Sequence, residues 1–128
     1  MKNIYLNIYK PNSRNLKKAK KIIDNNNVIG LPTETVYGLA ANAYSDKSVE
    51  KIFKLKKRPA FNPLIIHFKN LKDLKKDVIC NDSFIKLYKA FCPGPITFVL
   101  NKNPKSKISK IANAGKKTIA VRVPKHKV

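Results

Sequence analysis

Four short apolar runs, each abutting a proline, set the strongest limit on what this chain can become. Val28–Leu31 runs into Pro32, Leu64–Phe68 follows Pro63, Ile96–Leu100 follows Pro95, and Thr118–Val123 runs into Pro124. Proline has no amide hydrogen to offer a β-ladder and holds φ fixed, so it bounds such runs instead of interrupting them. Their length suits strands and falls far short of a bilayer span. Ile4–Tyr9, with alternating apolar and polar residues, reads as a further short strand.

Between these runs the periodicity becomes helical. Leu16, Ala19, Ile22 and Ile23 share one face with lysines opposite, after an N-cap signal in Pro11-Asn12-Ser13 and before a stop in Asn25-Asn26-Asn27. Ser45-Asp46 caps a second helix with an apolar stripe of Val49, Ile52, Phe53 and Leu55, and Glu50 faces Lys54 one turn on. Leu71–Val78 predicts a short helix. Asp82-Ser83 caps another, with Phe84, Ile85, Leu87, Tyr88 and Phe91 inward, ended by Pro93-Gly94-Pro95. Val28–Leu31 reads as a buried strand, Pro32–Asn42 as a strand-to-helix turn and Asn101–Lys110 as a polar loop. Strands and helices in this order predict an α/β domain around a central sheet. A chain of 128 residues supports one core.

The formal net charge is +21, from 28 Lys and Arg against 7 Asp and Glu. Such an excess draws polyphosphates and nucleic acid without specifying one. Lys, Asn and Ile are abundant together, so coding bias is an equal explanation. Cys80 and Cys92 lie too far apart for a CxxC motif, and His67 and His126 are the only histidines, so a metal site is not expected. The N-terminus lacks the apolar segment and cleavage site of a secretory signal, which makes a cytoplasmic protein without membrane contact the expectation.

Candidate chemistry gathers at three places. Lys56 and Arg58 follow a helix and Arg122 sits on a late strand; fixed cations are what phosphate transfer requires as charge develops on the departing oxygens. The alternative is that Lys56 and Arg58 only complement the helix dipole. Thr33, Thr35 and Tyr37 occupy alternating positions, so their hydroxyls can face one side and hold a small polar ligand, or serve only a turn. His67 and Glu34 are each open between a site role and a structural hydrogen bond. No Gly-rich phosphate loop and no Ser/His/Asp or Cys/His signature is present, so side chains must do the binding.

The ordered blocks Pro32-Thr33-Glu34-Thr35-Val36-Tyr37-Gly38-Leu39, Lys56-Lys57-Arg58-Pro59, Asn62-Pro63-Leu64-Ile65-Ile66-His67, Pro93-Gly94-Pro95-Ile96-Thr97 and Val121-Arg122-Val123-Pro124 resemble those of the Sua5/YciO/YrdC family. The resemblance implies a twisted mixed sheet with flanking helices. It also implies a nucleotidyltransferase that joins L-threonine, bicarbonate and ATP into threonylcarbamoyl-AMP, releasing pyrophosphate, with Mg2+ on the phosphates. A partner threonylcarbamoyl transferase would then modify an adenosine of certain tRNAs. Carried over residue by residue, Thr33, Tyr37, His67 and Arg122 would hold threonine or its carbamate. Lys56 and Arg58 would grip the phosphates and act catalytically, and Asn62 and Thr97 would line the nucleotide part of the cleft.

Family members continue past Val-Arg-Val-Pro into a helix and a Ser-x-Asn motif that works with Lys-x-Arg on the nucleotide, whereas this sequence ends at Val128. The resemblance therefore implies a single incomplete domain over residues 1–128, with an unsatisfied sheet edge and a tendency to associate. A fragment, a decayed reading frame and a second completing chain are all open origins. A catalytically inactive homologue that binds RNA or nucleotide is the alternative function. Lys57 and Cys92 also depart from the residues common in the family.

Overall fold

The computed structural model describes residues 7–128. Of the strand expected over Ile4–Tyr9, residues 4–6 lie outside the described residues, and residues 7–9 form no strand. The elements run α1 (Ser13–Asp24), β1 (Ile29–Pro32), β2 (Tyr37–Ala40), α2 (Asp46–Lys56), β3 (Ile65–His67), α3 (Leu71–Leu74), α4 (Asp82–Phe91), β4 (Phe98–Asn101) and β5 (Thr118–Arg122).

Each helix begins where a side chain can satisfy its free amides. Asn12, Ser45, Asn70 and Asn81 accept hydrogen bonds from Asn15, Ser48, Asp73 and Phe84 N–H respectively. α1 ends as its asparagines predict, with Asn26 at φ 58°. α2 ends on Lys57 in the left-handed conformation, φ 48° and ψ 38°. A side chain there is strained, and the turn it makes sets Arg58 back toward the loop that follows.

Two small sheets form. β3 lies parallel to β5 and β4 antiparallel to it, in the order β3-β5-β4. β1 and β2 make a separate antiparallel hairpin with Ile29 opposite Ala40 and Pro32 opposite Tyr37. The fold is thus the mixed α/β type expected. The segment read as a strand-to-helix turn is instead a hairpin: the Thr33–Val36 turn reverses the chain, and Tyr37–Ala40 pairs back. β1 is only half-buried, because the hairpin stands off the core.

The core fills one face of the three-stranded sheet. Ile66, Ile119 and Val121 meet Val49 and Phe53 of α2, Leu74 of α3, Val78 in the segment after it, and Phe84 of α4. Phe84 meets Phe98 edge-on with ring centroids 5.0 Å apart. Each such aliphatic or aromatic burial stabilises by roughly 1.5–3 kcal/mol. The stripes are narrower than their periodicity suggests: Leu55, Leu87 and Phe91 are exposed, and α1 has no buried residue. Glu50 and Lys54 make no ion pair.

The segment after β4, polar in composition, folds back into the core. Ile108 and Ala112 are buried, Ala112 O accepts from Leu64 N–H, and Ser109 Oγ donates to Asp46. Its serines point inward, Ser106 Oγ donating to Asp77 as Ser109 Oγ does to Asp46, so polar composition here accompanies buried positions.

Gly94 N–H donates to Val123 O, and a Cβ on Gly94 would lie 2.5 Å from Phe91 O. Gly94→Ala should therefore destabilise the fold by about 1–3 kcal/mol, the usual cost of overpacking. Lys57→Gly should do the opposite, gaining about 0.5–1 kcal/mol as left-handed strain is relieved against added chain entropy. Urea denaturation of the two variants checks both signs.

Candidate functional site

β5 brings the site together because it is the central strand. Arg122 at its end stands directly opposite His67 of β3. On the other side the ladder ends at Phe98 opposite Val121, with Thr97 just before it. His67 and Arg122 thus lie side by side across the sheet, on the face away from Ile66 and Val121.

The hairpin turn closes on these two residues. Thr33 Oγ1 donates to Val36 O at 2.8 Å, accepts from Val36 N–H, and meets Thr35 Oγ1 at 3.1 Å. That lock turns the next side chains toward β5: the Glu34 carboxylate accepts from Arg122 Nη2 through one oxygen and from Lys125 N–H at 2.9 Å through the other. The pair is largely withdrawn from water, Arg122 being 11% and Glu34 17% exposed at the side chain. Arg122 Nε is buried with no partner in the chain. A guanidinium so placed is fixed by one carboxylate, with Nη2 also 3.3 Å from Thr35 Oγ1.

Hairpin, α2 and β3 together wall a cleft of about 620 Å³ lined by Thr33, Thr35, Lys56, Arg58, His67 and Arg122. Six of the ten residues singled out from sequence, Thr33, Thr35, Lys56, Arg58, His67 and Arg122, therefore converge. Tyr37 is 82% exposed and does not line the cleft, so the three alternating hydroxyls do not face one side: Thr33 and Thr35 meet, and Tyr37 stands away. Asn62 is not in the lining either; its Oδ1 and main-chain O accept from Arg58 Nη2 and Nε, both at 2.9 Å. Pro63 O accepts a third Arg58 bond at 2.7 Å. Arg58 is held by the loop it precedes, with Nη1 left for a ligand. Thr97 is exposed at the start of β4, outside the cleft lining.

Sequence reasoning passed over Asn42, Tyr44, Lys69, Asp73 and Lys76, which also line the cleft. Three of them follow the C-terminal end of β3, where open α/β sheets gather ligands, and that position was the available signal. Tyr44 donates to Asp77 at 2.6 Å; burial first, and then this carboxylate, push its phenol well above the usual range.

Burial acts to raise the Glu34 pKa, but hydrogen bonds from its own main chain, Arg122 and Lys125, with the charge of Arg122, outweigh it and hold the carboxyl below its usual value. Desolvation by the cleft walls, then the Arg122 charge, lower the pKa of His67 against an opposing pull from Glu34. The imidazole is therefore neutral at pH 7, able to accept or donate one hydrogen bond beside Arg122.

The family model Sua5/YciO/YrdC, described as telomere recombination, matches residues 21–128. A threonylcarbamoyl-AMP synthase of Pyrococcus abyssi is 42% identical over 117 residues, covering 88% of this chain and 33% of that protein. One of Bacillus subtilis is 38% identical over 117 residues, covering 90% and 33%. The structure of Pyrococcus abyssi Sua5 complexed with L-threonine superposes with a TM-score of 0.86 at 37% identity, covering 92% of this chain and 34% of that one. The chain thus spans about a third of the length of these relatives.

A group whose pKa is lowered on folding stabilises the fold above its unfolded pKa and ceases to as pH falls through the folded value. Glu34→Gln should lower the melting temperature at pH 7, because Arg122 loses its counter-charge. The gap to the unsubstituted chain should narrow as pH drops below about 4.5. A gap that is constant from pH 7 to pH 3 would show that the pair contributes nothing electrostatic.

Proposed function

The chain belongs to the Sua5/YciO/YrdC family, and on that basis we propose that its cleft binds L-threonine and ATP and adenylates the threonine carbamate formed with bicarbonate. The product is threonylcarbamoyl-AMP, for transfer to tRNA by a partner transferase. One observation carries the reading: three cations, Lys56 at the end of α2, Arg58 in the loop after it and Arg122 on β5, line the same cleft as Thr33 and His67.

Each group has a use in that reaction. The threonine amine and bicarbonate combine to the carbamate with loss of water. A carbamate oxygen then attacks the α-phosphorus in line, and the bond to the bridging oxygen breaks as pyrophosphate departs. Arg122, clamped by Glu34 and lining the cleft, suits a carboxylate of threonine or the carbamate. Neutral His67 and Thr33 beside it offer uncharged hydrogen bonds to the amino acid.

Lys56 and Arg58 suit the triphosphate, where their charge offsets that growing on pyrophosphate. Among the described residues no group of three or more His, Cys, Asp or Glu is arranged to hold a metal. Magnesium bound with the triphosphate would neutralise part of its charge beside Lys56 and Arg58. Asn62 serves by holding Arg58.

Threonine-dependent and bicarbonate-dependent pyrophosphate release from ATP is the test. Lys56→Ala should lower the rate by about 10²-fold or more, the scale set by removing one preorganised electrostatic group, while leaving the melting temperature unchanged. ATP loss indifferent to threonine, or a folded chain that releases no pyrophosphate, would sink the reading.

A further inference from the structure

The cleft differs from one end to the other. α2 lends Val49, Ile52 and Lys56 to its lining, and Tyr44 lines it two residues before the helix begins. Tyr44 and Lys56 are therefore set apart by the length of α2, roughly 16 Å at about 1.5 Å per residue. Charge divides along the same line. Among the described residues Lys56 and Arg58 enter no ion pair, so their end is purely cationic. At the Tyr44 end, Asp73 pairs with Lys76 at 2.7 Å and lies within reach of the Lys69 charge, while Asp77 sits beneath Tyr44. Phosphates are drawn to the first end, and the balanced second end is left for an uncharged group.

Of the tyrosines and phenylalanines that line the cleft, Phe68 is buried and Tyr44 is 52% exposed. The Tyr44 ring is nonetheless held in place. Its phenol donates to Asp77 Oδ2 at 2.6 Å, Asp77 Oδ1 accepts from Ser106 Oγ at 2.7 Å, and Tyr44 N–H donates to Asn42 Oδ1 at 3.0 Å. Asp77 is 2% exposed, so the phenol is tied to the packed interior. A fixed aromatic face open to a cleft suits a flat ring laid against it, and fixing it beforehand lowers the entropy lost on binding.

Resting on the reading of this cleft as a nucleotide site, we propose that Tyr44 is the stacking platform for the nucleobase and Asp77 the positioning residue that sets its plane. The order of groups in a nucleoside triphosphate agrees with this. With the β- and γ-phosphates on Lys56 and Arg58, and the α-phosphate at the centre beside His67 and Arg122, the ribose and base continue toward Tyr44. A purine offers the ring a larger π-face than a pyrimidine and gains more from it.

Calorimetric titration with ATP, UTP and inorganic tripolyphosphate separates base from phosphate. Tyr44→Ala should weaken ATP about tenfold, the scale of one base stacked on one aromatic ring, leave tripolyphosphate within about twofold, and remove most of the preference for ATP over UTP. Tyr44→Phe keeps the ring and drops its tether, so the ATP loss should be smaller, about threefold. Asp77→Asn weakens the same tether and should move the ratio of ATP to tripolyphosphate affinity in the same direction. Lys56→Ala should weaken ATP and tripolyphosphate alike, so tripolyphosphate reports on the cleft and the margin of ATP over it reports on the platform. Equal losses of ATP and tripolyphosphate from Tyr44→Ala, or no loss of either, would overturn the platform and leave the cleft reading standing. Tripolyphosphate binding that ignores Lys56 would overturn both.

Discussion

The clamp between Glu34 and Arg122 joins two parts of the fold that no β-ladder connects. The hairpin of β1 and β2 forms its own sheet, and the β3-β5-β4 sheet carries the core. Across 88 positions of sequence, one carboxylate binds the guanidinium at the end of β5 and the Lys125 amide beyond it. The pair is withdrawn enough from water for its attraction to act at reduced dielectric, yet it remains open to the cleft on one side. Its geometry turns a surface hairpin into a wall, and makes Arg122 a fixed cation in the cleft lining.

Fixing cations costs stability that the rest of the molecule must offset. Burying Arg122 is tolerable because Glu34 answers it; Arg58 is held by three acceptors in the loop it precedes. Lys57 accepts a left-handed backbone so that α2 can end between Lys56 and Arg58. These features are locally unfavourable and grouped around one cleft, the pattern expected where a binding site is preorganised at the expense of ideal local structure.

The core is simpler. Ile66, Ile119 and Val121 alternate inward on adjacent strands while His67 and Arg122 alternate outward, so one register serves both packing and site. A one-residue slip of β5 would put Arg122 in the core and Val121 in the cleft. Apolar burial thereby enforces the position of the polar groups, and the site inherits its precision from the register.

Local signals in the sequence determined much of this. The caps at Asn12 and Ser45, the asparagine stop of α1, the prolines that bound the strands and the short spacing from Lys56 to Arg58 all act within a few residues, where chain sterics and hydrogen bonding decide the outcome. So did the membership of Thr33, Lys56, Arg58, His67 and Arg122 in one set, through blocks shared with a family. Only the tertiary structure decided that residues 32–42 make a hairpin, that Ile108 and Ala112 belong to the core, that Tyr37 stands outside the cleft, and that Asn62 braces Arg58. The hairpin and the Asn62 brace close over a few residues, but where they sit depends on distant partners, Arg122 for Glu34 and Ala112 for Leu64. Side-chain pairing over such distances is set by how the layers pack, which no local pattern of residues records.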